Sequence, residues 1–248
     1  MRIETPALGI YLMADVGTVE LAEAAVRGGA TTIEFGIPFS DPLADGPTVQ
    51  RAGQRALANG INVGAALDQI RELRARVAVP IVPMTYAGPV LAYGERRFCA
   101  DAAAAGADGL IVPDLPHDEA GELLEGCREQ GLDLVPLLAP TSTDERIALA
   151  CAGAGGFIYV VSVAGITGAR DSLSDRVGPL ITRVRAHTSL PLLVGFGISS
   201  PAAARAALQA GADGVVIGSK AIEVAEQGGA DALERFVAGV AAELAQKG

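Results

Sequence analysis

"AAVRGGATTIEFG", residues 24–36, reads as an alanine-rich helix end, a glycine stop and a short apolar strand. The phrase returns as "DAAAAGADGLIVPD" (101–114), "ALACAGAGGFIYVVS" (148–162) and "AALQAGADGVVIGS" (206–219). Glycine just past the last helical residue ends a helix cheaply, and the apolar run that follows is short enough for a buried strand. Between these phrases lie four strands of a second kind, "LGIYLMAD" (8–15), "VPIVPMTYA" (79–87), "LDLVPLLAP" (132–140) and "LPLLVGFG" (190–197). Helical patterns fill the gaps at 18–28, 47–58 with 63–77, 93–105, 117–130, 143–152, 174–187, 200–210 and 230–246.

Eight strands alternating with helices predict an α/β chain closed into a single (β/α)8 TIM barrel spanning residues 1–248. A doubly wound open sheet is the rival reading. Eight similar units without GxGxxG or GxxxxGK[ST] favour the closed barrel. That choice places chemistry at the C-terminal ends of the strands and in the loops after them.

Composition narrows the classes of function. Half of the 248 residues are hydrophobic, tryptophan is absent, and no linker-like stretch divides the chain. A formal net charge of −10 argues against binding nucleic acid or anionic membranes, so a phosphorylated ligand would rely on backbone amides. The basic cluster "RELRARV" (71–77) has helical spacing and reads as a solvated face. Cys99, Cys127 and Cys151 form no CxxC pair and read as small core residues in a reducing compartment. With no leader-like N-terminus and no apolar run of about 18 residues, a cytoplasmic location is expected.

At the strand ends, Glu34 stands out. Strand alternation puts Ile33 and Phe35 on the opposite face, so Glu34 points into the barrel. One reading is a buried carboxylate hydrogen-bonded to a neighbour; the other is a general acid or base whose pKa burial raises toward neutrality. The loop "PFSDPLADGP" adds Asp41 and Asp45, stiffened by Pro38, Pro42 and Pro47. At the far end, "VGFGISS" (194–200) and "GVVIGSK" (214–220) suggest a phosphate site made by glycines and a helix start, with "GITGARDS" (165–172) as a lid over it. His117 and His187 lie about seventy residues apart, and no cofactor or metal signature accompanies them.

The motifs "IEFGIPFSDPLADGPTVQ", "PIVPMTYAGPV", "LIVPDLP", "YVVSVAGITG", "VGFGIS" and "ADGVVIGS" together resemble the α subunit of tryptophan synthase. The resemblance implies retro-aldol cleavage of indole-3-glycerol phosphate to indole and glyceraldehyde 3-phosphate, with no cofactor and with a β subunit as partner in an α2β2 assembly. It implies Glu34 as the catalytic glutamate and Asp45 as the aspartate at the indole nitrogen. Tyr86, Tyr159 and Phe196 match the substrate pocket, Gly168, Gly197, Gly218 and Ser219 the phosphate site, and Pro38 and Asp41 the β-subunit contact. Val163 stands where many members carry arginine, Gly88 where many carry asparagine, and the first strand comes about a dozen residues early, so the leading helix is expected to be missing or reduced. A stand-alone lyase of another pathway and a non-catalytic partner of a β subunit are the alternative functions.

Overall fold

The computed structural model describes residues 1–116, 119–162 and 173–246. In chain order the elements are β1 (Ala7–Met13), α1 (Thr18–Arg27), β2 (Thr32–Gly36), α2 (Pro47–Ala58), α3 (Val63–Arg74), β3 (Ile81–Met84), α4 (Ala87–Tyr93), α5 (Glu95–Ala105) and β4 (Gly109–Leu110). Then follow α6 (Gly121–Gln130), β5 (Asp133–Leu134), β6 (Leu137–Leu138), α7 (Asp144–Gly153), β7 (Ile158–Val161), α8 (Leu173–Arg185), β8 (Leu192–Gly195), α9 (Pro201–Gln209), β9 (Gly214–Ile217) and α10 (Ser219–Ala245).

The strands pair in parallel in the order β3-β2-β1-β9-β8-β7-β6, with β4 beside β5. A bridge between Met84 and Ile111 joins β3 to β4. Val135 N–H donates to Leu110 O at 2.9 Å and Tyr159 N–H to Pro136 O at 3.0 Å, which carries the ladder from β4 through residues 133–138 to β7. The ring therefore closes as a barrel of eight strand positions, the architecture expected from the four repeats.

Three departures from the expected elements have local causes. The strand anticipated over 132–140 is two short pieces, because Pro136 has no N–H to donate and interrupts the ladder. A short helix, α4, occupies 87–93, between the expected strand and the helix from 93; proline is tolerated in a first helical turn, whose N–H groups lack partners anyway. The last helix starts at Ser219 rather than 230 and is bent at Gly229, whose φ of 64° and ψ of −159° are not helical.

The repeated "GAD" has a structural job. Asp108 Oδ2 accepts Ile81 N–H at 2.8 Å and pairs with Arg74 at 2.6 Å, while Arg74 also donates to the carbonyls of Gly106, Val77 and Val79. Asp213 Oδ2 does the same for Leu192 N–H at 2.8 Å and Arg185. Each aspartate thus ties the end of one helix to the start of the next strand at the base of the barrel. Within the basic cluster only Arg71 and Arg76 behave as a solvated face, paired with Asp68, Glu72 and Glu23. Arg74 belongs to the staple.

Residues 1–6 form no helix and lie at the same base, with Met1 packed beside Gly109 and Gly156. All three cysteines are free and buried, though Cys99 and Cys127, distant in sequence, face each other with sulfurs 3.8 Å apart. Ile33 and Phe35 are fully buried on the helix side of β2, which leaves Glu34, also fully buried, on the inner side. Among the described residues no helix is long and apolar enough to cross a membrane.

Candidate active site

A cavity of about 510 Å³ opens at the C-terminal ends of the strands, a size suited to a ligand of drug-like dimensions. Its wall brings together Glu34, Asp45, Tyr159, Phe196, Gly197, Gly218 and Ser219 from opposite ends of the sequence. Ring closure does this: β1 pairs with both β2 and β9, so the end of the chain lies one strand away from Glu34.

Glu34 is 0 % exposed, and neither carboxylate oxygen has a hydrogen-bond partner. An ionised carboxylate left this way costs several kcal/mol, so the group holds its proton instead. Burial alone pushes its pKa from 4.5 up to about 8. The reading of Glu34 as a hydrogen-bonded structural carboxylate therefore has no partner to rest on.

Two phenols frame it. Tyr11 is the register partner of Glu34 on β1 and leans over Gly36, where any Cβ would collide with its ring. Tyr159 leans in the same way over Gly195 at the end of β8. The strand-end glycines supply the space that these rings occupy. Phe196 follows with φ 63°, a left-handed conformation that is costly for a non-glycine residue and persists only where the surrounding structure over-determines it. Ser162 Oγ holds its carbonyl, and its ring stands edge-on to Tyr159 with centroids 5.7 Å apart.

Asp45 is half-buried and held from two sides. Gln50 Nε2 donates to its backbone carbonyl at 2.9 Å, and the Tyr86 hydroxyl, which accepts Ala44 N–H at 3.1 Å, stands beside its carboxylate. Burial raises the Asp45 pKa and the Tyr86 hydroxyl works against that rise. Tyr86 lines a small adjoining pocket together with Asp45, and is not among the residues of the main cavity wall.

At the other side of the cavity, α9 is capped by Ser200 Oγ, which accepts Ala203 N–H at 3.2 Å. The start of α10, at Gly218 and Ser219, has no side-chain cap for its first-turn N–H groups. Gly168 and the anticipated lid over 165–172 lie outside the described residues, as does Val163. Pro38, at the start of the acidic loop, is buried, whereas Asp41 is exposed and accepts a hydrogen bond from Ser40. Neither touches the cavity. Gly88 leaves room for Phe39, whose ring would lie 3.1 Å from a Cβ there.

Tyr11, Met84, Lys220 and Glu223 also line the cavity, beyond the residues that sequence alone points to. Tyr11 is within reach of the sequence, since alternation in "LGIYLMAD" puts it on one face with Gly9. The others need the ring to be closed.

These features agree with known proteins. The family described as "Tryptophan synthase alpha chain" matches residues 11–246. The chain is 51 % identical over 226 residues to the tryptophan synthase alpha chain of Roseiflexus castenholzii, covering 89 % of this chain and 86 % of the relative. It is 47 % identical over 222 residues to that of Methanosarcina mazei, covering 88 % and 80 %. Among solved structures, tryptophan synthase from M. tuberculosis in its aminoacrylate-bound form superposes with a TM-score of 0.88 at 36 % identity, covering 97 % of this chain and 94 % of that one. The tryptophan synthase complex from Pyrococcus furiosus gives 0.86 at 35 % identity, over 96 % and 98 %. Sequence match and backbone match extend over nearly the whole chain and include every strand that carries the cavity, so the chain belongs to the tryptophan synthase alpha-chain family.

Proposed function

We propose that Glu34 and Asp45 carry out the lyase reaction of this family, cleavage of indole-3-glycerol phosphate to indole and glyceraldehyde 3-phosphate. The observation that carries the assignment is a fully buried, unpartnered Glu34 across an aromatic-lined cavity from an anchored Asp45. At neutral pH Glu34 holds a proton to deliver to indole C3. Protonation there makes the indolenine, whose positive nitrogen an ionised Asp45 stabilises through N1–H. The carboxylate left on Glu34 then removes the proton of the glycerol hydroxyl next to the ring; the carbon–carbon bond breaks, a carbonyl forms, and Glu34 is reprotonated for the next cycle.

In this reading Tyr159 and Phe196 flank the indole, and Gly168, Gly197, Gly218 and Ser219 hold the phosphate. The uncapped start of α10 supports the latter. Inorganic phosphate should then protect the chain thermally, by about 2.7 kcal/mol at a hundredfold excess over Kd. A Cβ at 218 would stand 3.6 Å from Tyr11, so alanine fits, but the added branches of Gly218→Val should block close approach of a phosphate to the backbone and abolish the protection. Protection should survive Glu34→Gln. A melting experiment in which it required Glu34 would relocate the phosphate.

A β subunit is the proposed partner, in an α2β2 assembly, with Pro38 and Asp41 at the contact. Exposed Asp41 supports this, together with Leu43 and Leu91, apolar side chains 83 % and 62 % exposed. Saturating β subunit should raise steady-state indole production by a coupling of about 1 to 3 kcal/mol. Turnover of indole-3-glycerol phosphate by the purified chain, alone and with β subunit, tests both statements. No indole in either condition would overturn the catalytic assignment, and indole without response to the β subunit would overturn the coupling. One domain spanning residues 1–248 and a cytoplasmic location complete the proposal; the continuous strand ring supports the first, and the biosynthetic family the second.

A further inference from the structure

Besides the protonated Glu34, the cavity wall holds two carboxylates, Asp45 and Glu223, and the only cation among its described lining residues is Lys220. The chain as a whole carries a formal charge of −10. Backbone amides offer a phosphate dianion dipoles but no net positive charge, and a like-charged surface slows and weakens the approach of such a ligand. Lys220 is well placed to offset this. It follows Gly218 and Ser219 directly, in the first turn of α10, where the helix dipole disfavours a cation. A residue that breaks a local rule at a cavity calls for a compensating role.

In the ligand-free chain Lys220 is not idle. Its Nζ lies 3.5 Å from Glu223 Oε2, and Glu223 Oε1 accepts Thr48 Oγ1–H at 3.3 Å. Thr48 in turn accepts Arg51 at 3.3 Å. Glu223 is thus tethered to α2 independently of Lys220, and the long ion pair leaves the lysine free to turn. We infer that Lys220 leaves Glu223 when substrate enters and pairs with its phosphate, so that this lysine is a binding residue for the anionic end and takes no part in bond cleavage. The inference rests on the phosphate site proposed above.

The test separates the two ends of the substrate. Lys220→Met should raise KM for indole-3-glycerol phosphate by about 10- to 100-fold, the worth of one charge-assisted hydrogen bond, with kcat within about threefold. Inhibition by inorganic phosphate should weaken by the same factor, and inhibition by indole, which lacks the phosphate, should not change. Lys220→Arg should restore most of the affinity, and raised salt should affect Lys220→Met less than the wild type. Calorimetric titration with phosphate alone gives a second readout that needs no turnover. If wild type binds phosphate there and Lys220→Met binds it equally well, the inference fails while the site stands. If Gly218→Val leaves phosphate binding intact, the site itself is misplaced.

Discussion

Glu34→Gln should fold, melt higher than the wild type at neutral and alkaline pH, and lose roughly 10²-fold or more of its turnover. The activity loss follows from removing a general acid and base at one stroke, since an amide neither gives nor takes the proton at indole C3. For the same reason wild-type kcat/KM should fall as pH rises through about 8, where the buried carboxyl loses its proton. The stability gain has the same origin. Because burial raises the folded pKa from 4.5 to about 8, the folded chain retains a proton that the unfolded chain releases, and stability declines as pH rises through that window. At about 1.4 kcal/mol per pH unit, the penalty is roughly 3 kcal/mol at pH 7 and levels off above pH 8. Glutamine escapes it at every pH. The gap in melting temperature between variant and wild type should therefore widen from pH 5 to pH 8. A folded Glu34→Gln chain with wild-type turnover would sink the catalytic assignment, and a gap independent of pH would sink the account of a neutral buried acid.

Asp45→Asn should be impaired almost as severely, by about 10²-fold in kcat with a smaller change in KM. The carboxylate opposes a positive charge that develops only as the indolenine forms, so its loss falls on the transition state more than on binding. Asparagine keeps the shape, and the backbone bond from Gln50 remains. Tyr86→Phe tests the support behind it: without the hydroxyl that accepts Ala44 N–H beside Asp45, the acidic loop loses a tether, and a milder loss of about tenfold is expected. Kinetics showing equal losses in kcat/KM for Asp45→Asn and Tyr86→Phe would mean that Asp45 matters through loop position and not through charge.

Much of this is legible in the amino-acid order. The glycine stops of the repeated phrase mark helix ends, and Gly106 and Gly211 adopt the positive φ values that a stop of this kind uses, 94° and 99°. Glu34 is conspicuous because a charged residue inside an apolar strand is costly, and Asp45 because its loop is rigid. Pro136 is in plain view, yet the break it makes depends on where the neighbouring strand needs a donor. Lys220 and Glu223 are opaque for a different reason. Their place in the same cavity as Glu34 follows from β1 pairing with β9, a contact between residues about two hundred apart that no local pattern announces. Tyr86 reads from its motif as part of the substrate pocket, and only the fold of the acidic loop shows its hydroxyl accepting Ala44 N–H.

The two aspartate staples join β3 to β4 and β8 to β9, four barrel positions apart, so the base of the molecule repeats after half a turn. The face above does not repeat. Glu34 and Asp45 come from one half of the ring, while Gly197, Gly218, Ser219 and Lys220 come from the other. Under the proposed assignment, a substrate long enough to reach from the acid to the phosphate site would lie across the seam between two like-built halves. Each half alone would keep only one end of it.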